Sequence, residues 1–362
     1  MEINFLSEGN KEIQAQIKKV CESSLEIVND EDKGILNSIL KELAQDKWST
    51  IKHQELNFLK NHDESVWADY LIFRWKFKIY PALKKAPEFP LYLLVEPSSV
   101  CNIKCKMCFQ SDESFSCNKD YMGVMDFDMF KKIIDEAAEG GTKAITFASR
   151  GEPLLNKKFG EMLQYSKGKF YEIKINTNAI LLTEELCRTI LDAEVGIVVF
   201  SVDAYDKETY EKIRNTDKFP QVLENIKRFH KIRKEEFPNA KVVTRAHGVK
   251  VEKDFDDKKF HEFWKDIADA VTMMECIERW NTYENKVNSI TKPCQFSFDR
   301  LYIWYDGKYN PCDEDYKSYQ SFGNFKETTI RKIWNGEKIT KFREAHLNGE
   351  RTKLTPCDRC EL

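Results

Sequence analysis

Hydrophobic residues recur along this chain with two different periods. In the first 88 residues, apolar side chains such as Ile13, Ile17 and Val28 recur at helical spacing between Glu, Lys and Gln, which predicts amphipathic helices. From about residue 89 to residue 275, short apolar runs alternate with helical patterns. The runs predict six strands, at 91–96, 144–148, 172–176, 196–202, 241–246 and 270–275.

The alternation of strands and helices predicts the fold class. Helical patterns lie between the strands, near 126–138, 158–166, 184–192, 221–234 and 256–266. Such an order is typical of βα units with right-handed crossovers, which form a parallel sheet. We therefore predict an α/β fold, a partial (β/α)6 TIM-like barrel over 89–280 behind a helical N-terminal extension over 1–88. In such barrels, the chemistry lies at the carboxyl ends of the strands.

The pattern changes after residue 280. A polar stretch at 281–292 precedes a predicted hairpin, 301–305 and 308–311, joined at Asp306-Gly307. A helix is predicted near 328–346, and four cysteines fall in this part of the chain. A segment of this size buries little core, so residues 281–362 are predicted to form a small domain that a metal centre stabilises.

Composition and charge limit the function. The 362 residues include 57 Lys and Arg against 60 Asp and Glu, a net charge of −3, so nucleic acid is not an expected partner. No apolar run reaches 18 residues and the N-terminus lacks a secretion signal, so we expect a cytoplasmic protein with no membrane span. In a reducing compartment, eleven cysteines point to metal binding or redox chemistry.

The first cysteine group follows the first predicted strand directly. Cys101, Cys105 and Cys108 have the spacing C-x3-C-x2-C. Three thiolates on one loop can bind three irons of a [4Fe–4S] cluster and leave the fourth iron open for chemistry. The alternative is a zinc site completed by a distant ligand, but the nearest histidines along the chain are His62 and His230.

This cysteine loop, with the aromatic Phe109 after its last cysteine, resembles that of the radical S-adenosylmethionine (SAM) superfamily. The resemblance implies that the amino and carboxylate groups of SAM chelate the open iron. It also implies that the reduced cluster cleaves SAM to a 5′-deoxyadenosyl radical, which abstracts hydrogen from a substrate. An electron donor such as flavodoxin or ferredoxin is then an expected partner.

Further motifs extend the resemblance strand by strand. Ser149-Arg-Gly-Glu-Pro153 follows the second strand, Asn176-Thr-Asn-Ala179 the third, and Ser201-Val-Asp-Ala204 the fourth, with Tyr210-Glu-Lys-Ile-Arg214 further on. Arg150, Ala179 and Ala204 stand where the family often has glycine. The resemblance implies that SAM is bound by Phe109, Gly151, Glu152, Asn176, Asn178, Ser201 and Arg214.

The second cysteine group is Cys294, Cys312, Cys357 and Cys360. Spacing alone fits zinc and a closed [4Fe–4S] cluster equally well. The C-x12-G-x4-C element and the final C-x2-C resemble the SPASM or twitch extension of radical SAM enzymes. With only four cysteines available, the resemblance implies one auxiliary [4Fe–4S] cluster, as in the radical SAM dehydrogenases that act on 2-deoxy-scyllo-inosamine.

These features predict hydrogen abstraction from a small molecule, with oxidation of an alcohol on a sugar, aminocyclitol or related compound as the first hypothesis. Such a reaction needs a base, for which the strand ends offer Arg245, His247 and Glu275, followed by Glu278 and Arg279. Modification of a ribosomally made peptide, or an epimerisation, is the alternative. An epimerase would need a hydrogen donor such as Cys117 or Cys276. A zinc-binding interaction protein without enzymatic activity is the alternative of another class.

Overall fold

The N-terminal part of the chain is helical. The computed structural model describes residues 8–45, 51–277 and 282–361, and the chain divides into two compact units, residues 1–87 and 88–362. The helices of the first unit are α1 (Glu8–Ser24), α2 (Asp30–Ala44), α3 (His53–Asn61) and α4 (Trp67–Ile79). Helices α1, α2 and α4 contact one another, and side chains such as Ile17, Leu36 and Tyr70 are fully buried there.

One sheet runs through the second unit, in the strand order β6-β5-β4-β3-β2-β1-β7-β8-β9. From β6 to β7 in this order, each strand pairs in parallel with the next, whereas β8 pairs antiparallel with both β7 and β9. The predicted α/β fold is therefore confirmed. The strands are β1 (Tyr92–Val95), β2 (Ala144–Phe147), β3 (Glu172–Thr177), β4 (Ile197–Ser201), β5 (Val243–Lys250), β6 (Ala270–Glu275), β7 (Arg300–Ile303), β8 (Lys308–Asn310) and β9 (Gly323–Asn324).

Helices connect the parallel strands, and side-chain caps begin several of them. Asp126, Thr183 and Asp206 each accept a hydrogen bond from the amide three residues further on, which satisfies a backbone donor that the helix itself cannot. The helices are α5 (Glu113–Ser116), α6 (Phe127–Gly140), α7 (Phe159–Ser166), α8 (Glu184–Asp192), α9 (Lys207–Arg214), α10 (Phe219–Glu236), α11 (Asp257–Trp264), α12 (Phe296–Asp299), α13 (Ile330–Trp334) and α14 (Glu337–Leu347).

Side chains alternate between the two faces of the barrel strands. On β3, Ile173 and Ile175 are buried, whereas the residues between them are partly exposed. On β5, Thr244 and Ala246 are fully buried in the same alternation. Successive side chains of a strand point to opposite faces, so the buried residues face the covering helices. The partly exposed ones line the inner face.

The sheet continues from the barrel into the C-terminal part of the chain. The predicted hairpin forms between β7 and β8, with Gly307 in the left-handed region (φ +89°) at its turn. Strand β7 also pairs in parallel with β1, which its pattern did not indicate. The helix predicted near 328–346 is two helices, α13 and α14, separated at Gly336.

The predicted domain limits, 1–88, 89–280 and 281–362, remain predictions. The limit between residues 280 and 281 falls outside the described residues, because 278–281 are not described. Among the helices that the structure describes, none is both long and apolar enough to cross a membrane.

Candidate functional site: two cysteine centres in one unit

The loop after β1 holds its three cysteines in a fixed backbone conformation. The Cys108 amide donates to the Cys105 carbonyl at 3.1 Å, and the Ser111 hydroxyl donates to the same oxygen at 2.8 Å. The Lys106 amide donates to the carbonyl of Ile213 on α9 at 3.0 Å. These bonds fix the loop around Cys105 and Cys108. With Cys101, both lie on the loop that follows β1 at the carboxyl end of the barrel strands, where the sequence predicted the chemistry.

Gly151 lies directly against this loop. A Cβ built on Gly151 would be 2.4 Å from the Val100 carbonyl oxygen and 2.5 Å from the Ser98 oxygen. These are backbone atoms, which cannot rotate away as a side chain can. The Glu152 amide also donates to the Val100 oxygen at 2.9 Å. Only glycine therefore allows the loop after β2 to approach the cysteine loop so closely.

Glu152 is buried and fully engaged with the loop after β3. Its carboxylate accepts from the Thr177 hydroxyl at 2.7 Å, the Asn178 amide at 2.7 Å and the Leu154 amide at 3.2 Å. Burial raises the pKa of Glu152, while the hydrogen bonds from Asn178 and Thr177 favour its charged form. The carboxylate is also near enough to Cys101 to raise the pKa of that thiol, after burial. Glu152 thus lies beside the first cysteine group.

Arg214 connects the end of α9 to the cysteine loop. Its guanidinium is buried and pairs with Asp203, with Nε 2.6 Å from Oδ2. Its Nη1 donates to the Sγ of Cys105 at 3.4 Å. The Asp203 carboxylate also accepts from the Val249 amide on β5 at 2.8 Å. Arg214 therefore places a positive charge directly beside a predicted cluster ligand.

Three residues other than glycine adopt left-handed backbone conformations just after consecutive strands. They are Ser149 (φ +123°), Ala179 (φ +61°) and Asp203 (φ +54°), after β2, β3 and β4. Such conformations cost about 1–3 kcal/mol each and concentrate at functional sites. Ala179 occupies one of the positions where the family often has glycine, so the left-handed conformation is kept there without glycine.

The remaining predicted SAM residues lie at or near the same strand ends. Asn178 donates to the Asn102 side chain on the cysteine loop at 2.8 Å. Asn176 lies on the inner face of β3, and its Oδ1 is buried without a hydrogen-bond partner in the part of the chain described. Ser201 ends β4 opposite His247 on β5. Phe109 is buried and stacks on Tyr316 at 5.1 Å between ring centres.

Arg150 forms a buried ion pair that the sequence did not reveal. Its Nε and Nη2 donate to the Glu96 carboxylate at 2.8 and 2.5 Å, and its Nη1 donates to the Tyr316 carbonyl at 2.9 Å. The guanidinium lies 4.4 Å from the centre of the Trp304 ring. Glu96 also accepts from the Tyr305 amide at 3.1 Å. The pair therefore joins the ends of β1 and β2 to the C-terminal segment.

The second group of cysteines surrounds one cavity. Apolar and aromatic residues such as Phe296 and Phe342 form part of its wall. The thiols that line it are Cys294, Cys312, Cys357 and Cys360. The structure thus brings together all four residues that the sequence predicted as ligands of the auxiliary cluster.

Two further residues support this cavity, and sequence reasoning missed both. Arg351 donates to the carbonyls of Cys357 at 3.0 Å and Cys360 at 2.6 Å, and so holds the final C-x2-C segment. His346 accepts from the Cys294 amide through Nδ1 at 3.3 Å. Its Nε2 is buried with no hydrogen-bond partner among the described residues. A lone His in the last turn of α14 and a lone Arg after it give no sequence signal comparable to cysteine spacing.

The surroundings of these thiols fit an iron–sulfur cluster. Burial raises the pKa of Cys312, and the neighbouring Cys357 and Cys294 raise it further, so thiolates here need a positive centre. The unpartnered His346 Nε2–H is a donor suited to a sulfide acceptor. Among the described residues, no three possible ligands are close enough to hold a single metal ion. In a [4Fe–4S] cluster each thiolate binds a different iron, so the four sulfurs lie further apart than the ligands of a single ion. The arrangement of the four cysteines around the cavity is compatible with this spacing.

The candidate catalytic residues are not all in one place. Arg245 and His247 lie on the inner face of β5, where the His247 ring bonds to the Thr272 hydroxyl at 2.9 Å. Glu275 at the end of β6 and Cys117 after α5 are exposed, and Cys276 is partly buried. Glu278 and Arg279 lie outside the described residues. The structure therefore brings Arg245 and His247 together and leaves Cys117 on a separate loop.

Comparison with known proteins agrees with this geometry. The radical SAM superfamily matches residues 95–263, and the iron–sulfur cluster-binding domain called SPASM matches residues 294–361. The chain therefore contains a radical SAM domain over residues 95–263 and a C-terminal SPASM domain over residues 294–361. The first domain implies a [4Fe–4S] cluster that binds SAM, and the second implies an auxiliary iron–sulfur cluster.

Individual relatives cover parts of the chain. The tungsten-containing aldehyde ferredoxin oxidoreductase cofactor-modifying protein of Pyrococcus furiosus is 36% identical over 113 residues, 31% of this chain and 30% of that protein. The chain thus spans less than a third of this relative's length.

Two solved structures share the fold. BtrN in complex with AdoMet and 2-DOIA superposes with a TM-score of 0.52 at 20% identity, over 75% of this chain and 93% of BtrN. Streptococcus suis SuiB bound to the precursor peptide SuiA superposes with a TM-score of 0.60 at 14% identity, over 83% of this chain and 82% of SuiB. At these identities the likeness concerns the fold alone.

Proposed function

We propose that this radical SAM enzyme oxidises an alcohol of a small molecule, such as a sugar or aminocyclitol, to the carbonyl. The observation that carries the proposal is the second cavity, where four cysteines meet beside the barrel. A closed cluster with four protein ligands has no open iron for SAM and suits electron transfer. A dehydrogenation needs such an acceptor, because one electron remains after the hydrogen atom and the proton have left.

With both iron–sulfur clusters bound, the open-iron cluster and SAM would supply the radical chemistry for hydrogen abstraction, and the auxiliary cluster would supply an electron acceptor. Cys101, Cys105 and Cys108 would hold the first cluster, and the four cysteines of the second cavity would hold the other. The SAM site would be formed by residues at the strand ends and on the cysteine loop, namely Phe109, Gly151, Glu152, Asn176, Asn178, Ser201 and Arg214. An external carrier such as flavodoxin or ferredoxin would deliver electrons.

His247 is the base that the geometry favours. Burial lowers the pKa of His247 to about 4, and the charges of Arg214, Arg245 and Lys174 contribute. The imidazole is therefore neutral at pH 7, and a ring nitrogen can accept a hydrogen bond from a substrate hydroxyl. Its Nδ1 contact with Thr272 fixes the ring, so its other nitrogen is available for the substrate.

We also propose a cytoplasmic location, because a reducing compartment keeps cysteines in the thiol form that iron–sulfur clusters need. The peptide-modifying alternative has less support. Every regular element described in the first unit is helical, whereas a leader peptide that binds by β-augmentation needs an exposed strand edge.

The test uses anaerobically reconstituted protein, a reductant, SAM and a panel of polyols labelled with deuterium at single carbinol positions. We expect 5′-deoxyadenosine that carries one deuterium, together with a ketone or aldehyde in equal amount, measured by mass spectrometry. His247→Gln should lower the rate by about 10²-fold, the smaller end of general-base effects. Deuterium transfer with a product at the substrate's oxidation level would indicate epimerisation and contradict the proposal.

A further inference from the structure

A group of positive side chains lies on the inner face of the barrel, and the SAM motifs do not account for it. Lys174 on β3 and Arg245 on β5 are partly exposed. Their neighbours along each strand are buried and point to the opposite face, which the helices cover. Strand β4 lies between them, with Ile197 beside Lys174 and Val199 beside Arg245. Both side chains therefore point into the same space, which His247 shares.

The charges of this group are not neutralised by the protein. Within residues 8–45, 51–277 and 282–361, no hydrogen bond or ion pair involves the side chain of Lys174 or Arg245, and Arg245 Nε is buried without a partner. The other buried arginines near the strand ends are paired, Arg150 with Glu96 and Arg214 with Asp203. Unpaired like charges in a partly buried space are unfavourable, so an anion would stabilise this arrangement.

Lys174 lies deeper in the barrel than the SAM residues. It comes four residues before Asn178, and two before Asn176, on a strand that rises about 3.3 Å per residue toward the cysteine loop. Arg245 lies at the same height in the sheet as Asn176, because both residues pair with Val199 of β4. Arg214, beside Cys105, already offers a cation at the cluster end. The two inner cations are thus separated from it along the barrel axis.

We propose that Lys174 and Arg245 bind an anionic group, a carboxylate or a phosphate, of the substrate. The inference rests on the proposed function, because it places the substrate in the barrel below SAM. The planar guanidinium of Arg245 can bind two oxygens of either group at once, and the Lys174 ammonium adds a point charge. The cations thereby orient the rest of the substrate toward the strand ends, where His247 lies.

The test measures anion affinity of the reconstituted, SAM-bound protein by calorimetry, with inorganic phosphate and acetate as separate probes. Lys174→Met and Arg245→Gln should each weaken binding of the preferred probe by about tenfold or more, the usual loss for a charge-assisted hydrogen bond. The tighter of the two probes identifies the substrate's anionic group. Arg188→Gln, which removes an exposed cation paired with Glu236 on the outer helices, should leave the affinity unchanged.

SAM affinity, measured in the same samples, separates this site from the SAM carboxylate. We expect it to change less than about twofold in Lys174→Met, since one lost contact to SAM would cost nearer tenfold. A parallel loss of SAM and probe affinity would assign the cations to SAM and overturn the proposal. The labelled-polyol assay of the unsubstituted protein tests the proposed function separately, because it measures carbonyl product and deuterium transfer and not anion affinity.

Anomalous diffraction from crystals of the unsubstituted protein tests the proposal without relying on the folding of a variant. Crystals soaked in selenate should show an anomalous peak within hydrogen-bond distance of Lys174 Nζ and the Arg245 guanidinium. An inner face without that peak, while the crystal retains both iron sites, would contradict the proposal.

Discussion

Arg150→Met is expected to lower the free energy of unfolding by about 3–5 kcal/mol, the usual effect of leaving one partner of a buried ion pair alone. The substitution would leave the Glu96 carboxylate buried, with only the Arg150 and Tyr305 amides as donors. It would also free the Tyr316 carbonyl that Nη1 now binds. Chemical unfolding of the anaerobic holoprotein, followed by circular dichroism, measures the change.

A second variant and a control identify the cause of this loss. Arg150→Met combined with Glu96→Gln removes both charges and keeps an acceptor for the two amides, so it should recover at least about 1 kcal/mol. Arg188→Met breaks an exposed pair and should cost less than about 1 kcal/mol. If Arg150→Met costs no more than Arg188→Met, the buried pair does not join the C-terminal segment to the barrel as described.

Gly151→Ala should abolish SAM cleavage and destabilise the fold by about 3 kcal/mol, the upper end for an overpacked site. The new methyl group would meet the backbone of Ser98 and Val100 at about 2.5 Å, so the cysteine loop has to move. Catalysis is sensitive to such shifts, because a displacement of about 1 Å can cost 10²-fold. The readout is 5′-deoxyadenosine formed per reconstituted [4Fe–4S] cluster.

Gly160→Ala is the matched control for this prediction. Gly160 lies in α7, where a Cβ would meet only the Thr189 methyl at 3.4 Å, and alanine favours a helix. We expect unchanged SAM cleavage and equal or slightly higher stability. Normal cleavage by Gly151→Ala would show that the close approach of the two loops is not required.

The barrel was predictable from the sequence because it depends on local patterns. Apolar runs of four to eight residues between amphipathic helices specify buried parallel strands, and all six predicted strands are present. The parallel pairing of β7 with β1 could not be predicted in this way. It joins segments more than 200 residues apart, and the alternation within 301–305 only indicated a hairpin.

The candidate site was predictable where residue spacing carries chemical meaning. Four cysteines spread over residues 294–360 indeed line one cavity. Arg150 was less accessible to sequence reasoning, because its partner Glu96 is known only once β1 and β2 are adjacent. Lys174 was missed for a related reason. A lysine within a strand is usually assigned to the surface, and only the curvature of the sheet places it inside.

The iron and sulfide content of anaerobically reconstituted protein shows whether the chain holds one open and one closed iron–sulfur centre. We expect about eight irons per chain, four for each [4Fe–4S] cluster. Cys105→Ala and Cys312→Ala should each retain about four, and only Cys312→Ala should still bind SAM at an iron site. About four irons in the unsubstituted protein, or zinc without iron, would show that the chain does not hold two [4Fe–4S] clusters.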